Sequence, residues 1–133
     1  MEPKLIVLKE YFGHSAFRAG QSDIVDCLLS GRDALCVMPT GAGKSICYQV
    51  PALLFDGITI VVSPLISLMK DQVTSLVQAG IPAAFFNSSL TAAQYAKALQ
   101  NAANGKYKLI YVAPERLLTP EFLSLCRARR ISM

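Results

Sequence analysis

Four short apolar runs rich in β-formers divide this chain: "ALCVM" (34–38), "ITIVVS" (58–63), "AAFFN" (83–87) and "KLIYVA" (108–113). They recur roughly every 25 residues, the length that a strand plus a crossover helix occupies. Two of the intervals read as amphipathic helices. "LISLMKDQVTSLVQAG" (65–80) puts Leu65, Leu68, Met69, Val73, Leu76 and Val77 on one stripe and stops at a glycine. "TAAQYAKALQNAANG" (91–105) opens on the capping residue Thr91 and also stops at a glycine. "QSDIVDCLLSGRD" (21–33) predicts a helix closing at Gly31, and "TPEFLSLCRARR" (119–130) one with Pro120 in its first turn. Strand, helix, strand in this rhythm predicts an α/β fold with a parallel sheet and flanking helices.

Composition supports that class. The 133 residues suffice for one domain with a real core, and 53% hydrophobic against 17% charged, with mean hydropathy +0.39, fits strands buried on both faces. No apolar run approaches the roughly 18 residues of a membrane span, and "LIVL" (5–8) is too short for a signal-peptide core, so a cytoplasmic chain without membrane partners is expected. Cys27, Cys36, Cys47 and Cys126 form no CxxC pair and read as small hydrophobes rather than metal ligands or disulfides. The net charge of +4 permits a polyanionic partner without requiring one.

The chemistry concentrates in "VMPTGAGKSICYQ" (37–49), where an apolar run passes through glycines into a helix starting Lys44-Ser45. That context separates a phosphate-binding loop from a chance match. Gly41 and Gly43 let backbone N–H groups close around the β- and γ-phosphates, with Pro39, Thr40 and Ala42 completing the loop over 38–45. Lys44 is the candidate catalytic residue, bridging phosphates as a point charge, and the Ser45 hydroxyl is the candidate ligand for Mg²⁺. Met38 stands where the strict GxxxxGK[ST] pattern has its first glycine.

"FGHSAFRAGQSDIV" upstream, "MPTGAGKS", and "VVSPLISLMKDQV" and "YVAPERL" downstream together resemble the first lobe of the RecQ family of superfamily 2 DNA helicases, from about residue 8 to about residue 122. The resemblance implies a RecA-like P-loop lobe that uses ATP and Mg²⁺, with methionine tolerated at position 38. It implies an adenine-recognition segment over about 8–24, in which Gln21 reads the base, Arg18 lies nearby and His14 takes the place of a stacking aromatic. A glutamine amide suits that task, since it accepts from adenine N6 and donates to N7.

The resemblance implies single-stranded DNA contacts at Ser63, Pro64, Lys70 and Gln72, and Asn87, Ser88 and Arg116 sit at other strand ends, where hydroxyls, amides and an arginine suit contacts that grip a backbone without reading its sequence. Lys106, Lys108, Arg127, Arg129 and Arg130 read as solvated surface charge. The parent activity implied is 3′-to-5′ unwinding of duplex DNA, in the nucleoid of a bacterium or the nucleus of a eukaryote. Hydrolysis also needs an acid for Mg²⁺ and a group that positions water. Neither the family's DExH sequence nor the second lobe occurs here, so the chain is expected to stop before the DExH strand, which would lie between the phosphate-loop strand and the others. Such a piece is expected to bind but not unwind. The alternatives are a non-enzymatic nucleotide- and nucleic-acid-binding fragment, or a lobe of a related RNA helicase.

Overall fold

A computed structural model describes residues 1–39 and 43–133, which fall into two compact units, Met1–Phe55 and Asp56–Met133. The first unit is helical: α1 (Pro3–Phe12), α2 (Gln21–Leu29) and α3 (Lys44–Leu54). Val7 and Leu8 of α1, Val25 of α2 and Val50 of α3 form its core, with Phe12, Phe17 and Leu53 packed around them. Pro3 sits where a missing N–H costs nothing, and Gly13 ends α1 in the left-handed region at φ 73°. Lys4 ties α1 to α2, its Nζ donating to Ser22 Oγ and Asp26 Oδ1, both at 2.7 Å. The Asp26 hydrogen bond raises the Lys4 pKa above its ordinary 10.5.

The second unit holds β1 (Thr59–Val62), α4 (Ile66–Gln78), β2 (Ala83–Phe86), α5 (Ala92–Ala103), β3 (Leu109–Val112), α6 (Pro114–Leu117) and α7 (Pro120–Ala128). Its strands are parallel in the order β1-β3-β2, so every residue of β3 is buried. Strand alternation sends Ala84, Phe86, Ile110 and Val112 to one face, where they meet Ala102 of α5 and Phe122 and Leu125 of α7. Phe86 packs edge-on against Tyr95 and Phe122, with ring centroids 5.4 and 5.8 Å away. On the opposite face α4 reaches Tyr111, whose hydroxyl donates to Gln72 Oε1 at 3.2 Å. Helices therefore flank both faces, as the sequence predicts.

Thr91 caps α5 in a reciprocal box with Gln94, at 3.1 and 2.9 Å. The stripe on α4 is narrower than expected. Met69, Val73 and Leu76 are buried, whereas Leu65, Leu68 and Val77 flank the contact and stay exposed. Residues 131–133 run beside β1, with Ile58 N donating to Arg130 O and Ser132 N to Ile58 O, both at 2.9 Å.

One strand expectation fails. Residues 34–38 form no strand, and Leu35 and Val37 are 95% and 89% exposed. A β-rich run becomes a strand only where a neighbouring backbone takes its N–H and C=O groups. Among the described residues, none takes those of 34–38 as a strand partner.

Candidate functional site

α3 starts at Lys44, straight after Gly43 in the left-handed region at φ 81°, and Gly43, its N-cap residue, offers no side chain to cap the first turn. No acidic residue lies in that turn either. The first-turn N–H groups and the positive helix end favour an anion, and a lysine at the head of a helix is unfavourable without one. The residues present therefore fit a phosphate group, with Lys44 exposed and Ser45 half-buried beside it. Thr40, Gly41 and Ala42 lie outside the described residues.

Gln21, the first residue of α2, is 3% exposed. Its Oε1 accepts from Arg18 N at 2.7 Å and its Nε2 donates to Gly43 O at 2.9 Å. These bonds join the "FRAGQ" turn to the residue just before α3, and a Cβ on Gly43 would collide with Gln21 Nε2. Position 43 is thus restricted to glycine by its φ and by its neighbour. Met38 is half-buried, and its Cε would lie 3.6 Å from a Cβ on Gly20, the residue before Gln21. The residue that departs from the strict loop pattern packs under the turn that holds the glutamine. A cleft of about 110 Å³ opens here between His14, Ala16, Arg18, Gln21, Gly43 and Ile46. Sequence reasoning had brought forward His14, Arg18, Gln21 and Gly43. Ala16 and Ile46 carry no polar signal, and Ile46 reads simply as part of the apolar face of α3.

In the second unit Val62, Val112 and Phe86 are in register, so Ser63, Ala113 and Asn87 leave the sheet at one end. This is the C-terminal edge of the strands, where open parallel sheets bind ligands. Ser63 Oγ accepts from Leu65 N at 3.2 Å, shaping the entry to α4. Pro64, Lys70 and Ser88 are exposed. Gln72 is engaged by Tyr111, and the Arg116 guanidinium stacks over Tyr95 at 4.5 Å.

Asn87 departs from the expected surface contact because it is fully buried. Its Oδ1 accepts from Ser89 N and Oγ, and its Nδ2 donates to Met69 Sδ at 3.5 Å. A buried amide must satisfy its polar atoms internally, so Asn87 shapes the turn that presents Ser88. Among the described residues no cluster suits a metal ion, and no helix is long and apolar enough to cross a membrane.

A glycine-rich loop leading into a helix, together with a parallel sheet flanked by helices, defines the class: a P-loop α/β lobe. The chain belongs to the DEAD/DEAH box helicase family, whose profile matches residues 18–131, and it is a stretch of the first lobe of a RecQ-type member. It is 53% identical to the ATP-dependent DNA helicase RecQ of Haemophilus influenzae over 121 residues, which is 91% of this chain and 20% of that protein. It is 50% identical to the protein of the same name from Bacillus subtilis, over 90% of this chain and 20% of that protein. With the ATP-dependent DNA helicase Q-like 4B of Arabidopsis thaliana it shares 44% over 86% of this chain and 10% of that protein. The chain spans about a fifth of the length of its bacterial RecQ relatives.

Proposed function

We propose that this chain is the ATP-binding part of a RecQ-like DNA helicase that couples ATP hydrolysis to 3′-to-5′ unwinding of duplex DNA. The observation that carries the reading is the lysine-headed start of α3 after the left-handed Gly43, bonded through Gly43 to the buried Gln21. Lys44 and the N–H groups of the first turn would hold the triphosphate, and the Ser45 hydroxyl would face its Mg²⁺. Bound Mg²⁺ would neutralise phosphate charge.

Among the described residues Gln21 gives one lone pair and one N–H to the protein, and the other of each would suit the N6 and N7 edge of adenine. His14 lies along the same cleft, where an imidazole can cover the base. Ser63, Pro64, Lys70, Ser88 and Arg116, at or following the C-terminal ends of the strands, would meet a single DNA strand through its backbone. Gln72 would join them from α4.

The 133 residues contain no DExH sequence. On this reading the chain binds nucleotide and DNA without DNA-stimulated turnover, and the second lobe and the missing acid belong to the longer protein. The test is nucleotide competition: Gln21→Ala is expected to abolish the preference for ATP over GTP, and an unchanged preference would refute the adenine assignment.

A further inference from the structure

At the other end of the sheet, residues read from sequence as scattered surface charge come together. Lys108 directly precedes β3, and Arg129 and Arg130 follow α7; with Tyr107, Asp56 and Gly57 they line an opening of about 200 Å³ at the N-terminal ends of β1 and β3. Each strand has four residues, so this opening lies roughly 13 Å along the sheet from the edge that carries Ser63 and Ser88.

The opening is built in part from fixed groups. Arg129 Nε donates to Ala103 O at 2.8 Å, and its guanidinium lies so close over Gly105 that a Cβ there would come within 2.8 Å of Nη2. No ion pair involves Arg129 among the described residues, and its two terminal nitrogens keep the fork that suits two oxygens of one phosphate. Beneath it, Gly57 is packed so tightly that a Cβ would sit 2.5 Å from Arg130 O. Asp56 offsets Arg130 only weakly, at 3.9 Å between two exposed side chains.

Helix ends oppose an anion here, and their size decides the sign. α5 and α7 both finish at this end of the sheet, each with about half a negative charge. Together they cancel about one of the three cations and Asp56 offsets part of another, which leaves a positive surplus, with exposed Lys106 close by in sequence.

We propose that this opening is a second phosphate-binding site, taking the phosphodiester backbone of a nucleic acid strand at the sheet end remote from the Ser63 edge. Arg129 supplies a preset fork, Lys108 and Arg130 add positive charge, and Asp56 limits the affinity. The contact is independent of the nucleotide site.

The probe is a fluorescent oligothymidylate titrated at several salt concentrations into the chain carrying Lys44→Ala, which silences the phosphate loop. Lys108→Gln with Arg130→Gln is expected to weaken binding several-fold and to flatten the logarithmic salt dependence by roughly 1.4, since each lost single-strand phosphate contact is worth about 0.7. Asp56→Asn is expected to tighten binding, an effect that misfolding would not produce. Competition by inorganic pyrophosphate at matched ionic strength separates a small phosphate ligand from a strand. Displacement by pyrophosphate at concentrations comparable with the oligonucleotide would overturn the strand assignment, and so would an unchanged salt slope in the double variant together with no gain from Asp56→Asn.

Discussion

Residues 34–38 and 109–112 look alike as sequence and end in opposite states. "ALCVM" and "LIYV" are both short, apolar and β-rich. The second is β3, central in its sheet and buried throughout, with β1 on one side and β2 on the other. The first carries Leu35 and Val37 into solvent and joins no ladder among the described residues. Composition sets which runs are able to form strands. A neighbouring backbone decides which of them do, and that neighbour is not encoded in the run.

Proline gives the largest contrast. Ile110→Pro removes ladder bonds from the middle of a central strand and is expected to unfold the second unit, whereas Leu35→Pro removes nothing from a ladder and is expected to shift stability by under about 1 kcal/mol. Urea denaturation followed by circular dichroism reads both, and a large loss from Leu35→Pro would break the comparison.

Truncating the core next to β3 comes second. Phe86→Ala is expected to cost about 3–5 kcal/mol in the same assay, against roughly 0.5 kcal/mol or less for Leu35→Ala. A third contrast is chemical. Cys36 lies exposed in the unladdered run, while Cys47 on α3 is buried, and burial, with Cys36 beside it, pushes its thiol pKa up. At neutral pH a maleimide is expected to label Cys36 well before Cys47. Equal rates would mean that residues 34–38 are covered.

The smallest effect concerns pH. The Lys4 pKa is raised, chiefly by its Asp26 hydrogen bond, so its contribution is fully present below 10.5 and is lost as pH rises through the folded value. The stability difference between the chain and its Lys4→Met variant should therefore stay flat across neutral pH and shrink only in strong alkali.

These contrasts also show what the sequence made legible. Three strands and the helices around them follow from the short β-rich apolar runs, from Thr91 as a cap and from glycines at Gly80 and Gly105, all of which are local signals. α1 was not legible, because "PKLIVLKEYF" has little amphipathic asymmetry and is held partly by Lys4 reaching a carboxylate 22 residues away. Gln21 was legible by its place in "FRAGQ". Its bond to Gly43 was not, since the two meet only once α2 and α3 pack. The burial of Asn87 and the gathering of Lys108 with Arg129 and Arg130 are likewise products of the sheet, and no local pattern announces them.

The central claim is that the glycine-to-helix turn headed by Lys44 holds a triphosphate even though the run before it has no strand partner among the described residues. Equilibrium titration of ATP with Mg²⁺ into the chain and its Lys44→Ala variant tests it directly. The account predicts saturable binding by the chain and at least a tenfold loss, about 1.4 kcal/mol, in the variant. Equal affinity in the two proteins, or no binding by either, would contradict it.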